Sequence, residues 1–123
     1  MSASPLRVVG LVGSLRSGSF TRAVVELALV GAAELGAETT LMDLNEFRLS
    51  FCGLTPEHPE EVQRLRDLTR AAHGIILGSP EYHGSYSGVL KNALDLMSFE
   101  EFEGKMLGLV GVGGGALGAA GAL

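Results

Sequence analysis

Short apolar runs alternate along the chain with longer stretches of mixed polarity. Arg7–Val12 is a mostly apolar run and Gly74–Gly78 a continuous one, the pattern of strands buried on both faces. Glu38–Leu44 reads as a further strand ending at Asp43, and Met106–Val112 as another. Between the first two lies an Ala/Val/Leu-rich stretch from about Thr21 to Leu35, broken mainly by Glu26 and Glu34. It predicts a mostly buried helix with Gly36 at its C′ position. Residues 45–58 have no clear period and read as a loop. Pro59 suits the first turn of the next helix, Glu60 and Glu61 suit its positive end, and Val62, Leu65, Leu68 or Thr69, and Ala72 form its apolar face. Gly88–Met97 predicts a third helix, with Leu90, Ala93, Leu94 and Met97 on one side and Lys91 and Asp95 on the other. Cys52 and Met97 read as packing residues. The order β-α-β-α-β-α-β, with a last helix just begun, predicts an α/β fold with a parallel sheet and right-handed crossovers.

Composition narrows the class. A chain of 123 residues, 46% of them hydrophobic, has room for one domain spanning 1–123 and one core. A formal net charge of -5 with no basic run argues against nucleic acid and anionic membrane as partners. The single Cys52 excludes an intrachain disulfide and fits a reducing, cytoplasmic compartment. The polar lead Met1–Pro5 lacks the pattern of a signal peptide. Met106–Leu123 carries no charge, but its glycines suit a strand, a loop and a helix start better than a membrane span. That apolar ending, with no polar cap, leads us to expect a C-terminally shortened chain.

Two polar loops follow two of the strands. In the first, Ser14, Ser17, Ser19 and Thr21 place four hydroxyls within eight residues, together with Arg16, at the opening of a helix. Free N–H groups and the helix dipole attract an anion there, and Arg16 adds a charge-assisted bond. A Ser-capped turn would explain one or two of these hydroxyls but not the set. Gly13 and Gly18 have P-loop spacing, yet Ser19 stands where that motif needs Lys, and no Gly-x-Gly-x-x-Gly is present. A terminal monophosphate fits best. The second loop, Pro80-Glu81-Tyr82-His83-Gly84-Ser85, offers a stiff turn, a flat aromatic face and a close-approach glycine, which suit a ring. Gly113, Gly114 and Gly115 either bring backbone N–H groups to that ring or form a plain flexible turn. No nucleophile accompanies Glu81 and His83, so no catalytic side chain is assigned. His58, His73 and His83 have no metal-ligand spacing, and His73 suits a helix C-terminus.

Gly-Ser-Leu-Arg-x-Gly-Ser-x-Thr-Arg, then Ser-Pro-Glu-Tyr-x-Gly-Ser-x-x-Gly-x-Leu-Lys-Asn-Ala-Leu-Asp, then a strand ending in Gly-Gly, resembles the NADPH-dependent FMN reductase family. The resemblance runs from Val8 to about Leu117. It implies a flavodoxin-like three-layer α/β/α fold with strand order 2-1-3-4-5, of which this chain lacks the fifth strand. It also implies homodimers or homotetramers. FMN would be the cofactor, with NADPH or NADH as reductant and a flavin, quinone, azo compound or metal oxyanion as small-molecule acceptor. Carried over by position, Ser14, Arg16, Ser19, Phe20 (through its backbone) and Thr21 would hold the phosphate. Pro80, Glu81, Tyr82, His83, Gly84 and Ser85 would line the ring and ribityl chain, and Gly113, Gly114 and Gly115 would approach the ring edge. The chain departs from the family at His83, where many members have Asn, at Ser87, where Pro often precedes the Gly, and at Leu96, which replaces a common Trp. The rival readings are a flavodoxin-type electron carrier and an inactive fragment of a flavin reductase.

Overall fold

The computed structural model describes residues 4–123, so residues 1–3 of the polar lead lie outside the described residues. Four strands form one parallel sheet: β1 (Arg7–Val12), β2 (Glu38–Asp43), β3 (Gly74–Pro80) and β4 (Met106–Val112). Their order is β2-β1-β3-β4, which matches the first four positions of the expected order. The helices are α1 (Phe20–Glu34), α2 (Pro59–Ala71), α3 (Gly88–Asp95) and a short α4 (Phe99–Phe102). Short 3-10 turns occupy Leu44–Glu46 and Ala120–Ala122, the latter where the sequence pattern predicted the start of an α-helix.

Successive residues of β1 serve opposite faces. Val9 and Leu11 join Met42, Leu65, Ile75, Leu90, Ala93 and Met97 beneath α2 and α3. Val12 joins Val25 and Leu29 beneath α1. On that second face Gly10 and Gly78 let α1 settle close to the sheet. A Cβ at either would come within 2.5 Å and 2.4 Å, respectively, of a Val25 methyl. This close seat brings the start of α1 down to the ends of β1 and β3.

Several expectations change. α1 is not mostly buried: only Thr21, Val25 and Leu29 are buried, while Phe20, Leu27 and Leu35 are largely exposed. A helix lying on a sheet hides one side, and an Ala/Leu-rich sequence does not say which. β3 runs two residues further than predicted, through Ser79 and Pro80, because they pair with Gly111 and Val112 of β4. Cys52 is exposed rather than packed, and its N–H donates to Asn92 Oδ1. His73 does not serve the end of α2. Its Nδ1 accepts the Arg7 N–H at 2.9 Å. The α2 C-terminus is instead met by Lys105, whose ammonium donates to the Thr69 and Arg70 carbonyls, and by Arg7, whose Nε donates to the Ala71 carbonyl.

The buried Glu101 ties α4 to α2. It receives bonds from Arg66 Nε at 2.7 Å, from the Ser98 N–H at 2.9 Å and from Arg70 at 3.3 Å. Burial pushes its carboxyl upward, but the bonds and charge from Arg66 and the bonds from Ser98 outweigh burial and hold it at about 2, below the ordinary 4.5. The folded value lies below the unfolded one, so the contribution is complete well above pH 4.5 and is lost as pH falls towards 2. Glu101→Gln should therefore cost about 2 kcal/mol at neutral pH and flatten the acid limb of stability. Urea unfolding at a series of pH values reads both effects. An unchanged acid limb would remove Glu101 from the account.

Candidate functional site

The strand order reverses direction between β1 and β3. One crossover from β1 runs outward to β2, and the chain then returns to the opposite side for β3. In such sheets the crevice outside the carboxyl ends of these strands receives ligands. Here it is a cleft of about 280 Å³ lined by Ser14, Arg16, Ser19, Phe20, Thr21, Pro80, Glu81, Tyr82, Val112, Gly113 and Gly114. The two polar loops and the glycine loop therefore converge on one place.

The first wall gathers hydrogen-bond donors. Ser19 is the N-cap of α1, and its Oγ accepts the Arg22 N–H at 3.1 Å. Ser14 Oγ accepts the Arg16 N–H at 3.2 Å. Each hydroxyl thus accepts from the backbone while its own proton stays uncommitted among the described residues. Thr21 is buried, yet its hydroxyl has no protein partner among the described residues and is not sealed from solvent. The N–H groups of Phe20 and Thr21, in the first turn of the helix, are likewise free of partners there.

Two arginines flank this wall, and the structure separates their roles. Arg22 bonds Glu26 at 2.8 Å, Asp43 at 2.8 Å and Glu46 at 3.0 Å, and these carboxylates raise its pKa. It is committed to pinning α1 to the end of β2. Arg16 forms no side-chain bond among the described residues and lines the cleft.

The second wall is held by backbone bonds. The Glu81 N–H donates to the Val112 carbonyl at 2.7 Å, which joins the end of β3 to the end of β4. The Glu81 carboxylate, which lines the cleft, also accepts the Gly121 N–H at 3.1 Å and so ties this wall to the last turn. Tyr82 is half exposed at the cleft edge. Val112 also lines the cleft: the sequence marks it only as the end of a strand, and as the last residue before the glycines it stands at the mouth of β4.

His83, Gly84, Ser85 and Gly115 do not line the cleft. Tyr82 and Ser85 exchange backbone bonds of 2.9 and 3.1 Å around His83 (φ 52°) and Gly84 (φ 77°). Two successive positive φ values make a type I′ turn, which carries these residues outward. Nothing crowds a Cβ at Gly84, so Gly84→Ala should cost only the left-handed penalty, about 1–2 kcal/mol. Urea unfolding checks this, and a neutral result would mean that the turn relaxes without Gly.

The profile of the NADPH-dependent FMN reductase family matches residues 6–123. The FMN-dependent NADPH-azoreductase of Staphylococcus aureus (strain USA300) is 40% identical over 111 residues, covering 85% of this chain and 59% of that protein. The chain thus spans less than two thirds of the length of that curated relative. Among solved structures, FerB, a flavoenzyme NAD(P)H:(acceptor) oxidoreductase from Paracoccus denitrificans, superposes with a TM-score of 0.77 and 30% identity, covering 95% of this chain and 66% of that one. The apo form of the NADH:FMN oxidoreductase EMOB superposes with a TM-score of 0.73 at 23% identity, covering 91% and 60%, a likeness of fold.

Proposed function

The chain belongs to the NADPH-dependent FMN reductase family, and from that premise we propose that its cleft binds FMN and that it is an NAD(P)H oxidoreductase acting on small-molecule acceptors. The observation that carries this reading is the first wall. Backbone N–H groups, hydroxyl protons and an Arg16 guanidinium that have no partner among the described residues face one cleft at a helix N-terminus. That donor set suits a dianionic monophosphate.

Bound FMN would supply the redox chemistry, taking a hydride from the nicotinamide and returning electrons to the acceptor. The protein's own task is placement. Ser14, Arg16, Ser19, Thr21 and the Phe20 N–H anchor the phosphate end. Pro80, Tyr82, Gly113 and Gly114 shape the other end, with His83, Gly84 and Ser85 in the turn that borders it. No side chain needs to act as acid or nucleophile. The azoreductase relative favours an azo compound as acceptor, ahead of a quinone, a free flavin or a metal oxyanion. Assembly as a homodimer or homotetramer belongs to the same proposal. No helix among the described residues is long and apolar enough to cross a membrane.

The test is an FMN titration followed by flavin fluorescence, then steady-state NADPH oxidation with each acceptor class. Saturation at one FMN per chain with NADPH turnover is the expected result. Saturation without turnover would favour the electron-carrier reading, and no saturable binding would overturn the proposal.

A further inference from the structure

The two walls of the cleft come from loops more than sixty residues apart, and something must fix the distance between them. We propose that Ser87, which lies outside the cleft, is the positioning residue that does so, with Ser79 as its partner. The inference rests on the FMN reading above, because it assigns the spacing to a ligand that touches both walls.

Ser87 is 1% exposed and Ser79 is 3% exposed. The Ser87 hydroxyl donates to the Gly13 carbonyl at 2.6 Å and accepts the Leu90 N–H at 3.1 Å. The Ser87 N–H donates to Ser79 Oγ at 3.0 Å, and the Ser79 hydroxyl donates onward to the Pro80 carbonyl at 2.8 Å. A continuous chain of bonds, buried as far as Ser79 and half-buried at Pro80, therefore runs from Gly13, which precedes the phosphate wall, to Pro80, which is part of the ring wall. Each hydroxyl gives one bond and accepts one, so removing either leaves a buried carbonyl or N–H unmet.

Helix capping accounts for the bond to Leu90, since Ser87 is the N-cap of α3. It does not account for the bond to Gly13, which is 74 residues away in sequence. Nor does it account for the bond to Ser79, which needs an N–H that a proline at this position would lack.

A ligand that touches both walls senses their spacing, and one that touches a single wall does not. The experiment compares the parent protein with Ser87→Ala and Ser79→Ala, the second of which leaves the α3 cap intact. Dissociation constants are measured for FMN and riboflavin, and amide exchange at Gly13 and Glu81 is measured without ligand. In both variants FMN should weaken about tenfold while riboflavin changes less than about threefold, and exchange at both amides should rise. FMN and riboflavin weakened by the same factor would make the two serines merely stabilising and overturn the proposal. A selective loss confined to Ser87→Ala would assign the effect to the cap and also overturn it. If the parent binds no flavin, the FMN reading falls by itself. Exchange then decides the strut: faster exchange at both amides in both variants upholds it, and unchanged exchange removes it.

Discussion

Gly13→Ala is expected to destabilise the protein by about 3 kcal/mol, the upper end of the usual cost of overpacking. A Cβ at Gly13 would stand 2.7 Å from the Leu90 Cβ, 2.9 Å from the Gly78 carbonyl oxygen and 3.2 Å from Ser87 Oγ. None of these atoms is the far end of a flexible side chain. Two belong to the first turn and cap of α3, and one belongs to the β3 backbone. Relief therefore requires the end of β1 to back away from β3 and α3 together. That movement would stretch the 2.8 Å bond from the Gly13 N–H to the Gly78 carbonyl and displace Ser14 and Arg16 behind it. FMN affinity should fall on the order of 100-fold, the scale at which a 1 Å misplacement acts in a site. Gly31→Ala is the control. It lies within α1 with nothing within 4 Å of its Cβ, so it should stabilise by about 0.5–1 kcal/mol. Urea unfolding and flavin titration of the two variants give both readouts. A Gly13→Ala protein that folds and binds like the parent would mean that the two loops do not meet as closely as described.

Gly13 also illustrates what the sequence could and could not disclose. Its place after an apolar run marked the carboxyl edge of the sheet, because strand, polar loop and helix start are local patterns. The same patterns located β1, β2 and β4 and the first residue of α2. The partners that make Gly13 indispensable, Leu90 and Ser87, come from more than seventy residues away, and no local period encodes them. Non-local pairing explains the other differences too. β3 continues through Pro80 because β4 lies beside it. Lys105 meets the α2 C-terminus because the β4 edge passes there. The short α4 does carry a local signal, the Ser98-x-x-Glu101 capping box, but its four residues are too few to show a helical period. In the site, Ser14, Arg16, Ser19 and Thr21 were legible as a group because one loop and the helix start after it carry them all, whereas Ser17 of the same group does not line the cleft and Phe20 came only from the family resemblance. The outward course of His83–Ser85 was not, since it depends on two successive left-handed residues, only one of which is Gly.

Arg16→Ala should weaken FMN by about 1.5–3 kcal/mol, the range for a charged hydrogen bond, which is on the order of 10- to 100-fold in the dissociation constant. The choice of Arg16 over Arg22 is structural. Arg22 already faces three carboxylates, and moving it to a phosphate would strip the buried Asp43 of its cation. Arg16 has no such competing bond among the described residues and lies in the same cleft as Ser14, Ser19 and Thr21. Three consequences separate a phosphate contact from a general loss of folding. Riboflavin, which lacks the phosphate, should bind the variant as it binds the parent. Added salt should weaken FMN less in the variant than in the parent, since one charge pair has gone. Arg16→Lys should recover only part of the affinity, because an ammonium cannot offer the paired donors of a guanidinium. Arg22→Ala should behave in the opposite way, lowering stability by loosening α1 from the end of β2 while leaving the FMN-to-riboflavin preference in place. Equal FMN affinity in the parent and Arg16→Ala would sink the phosphate assignment, and with it the argument that this wall of the cleft was built for an anion.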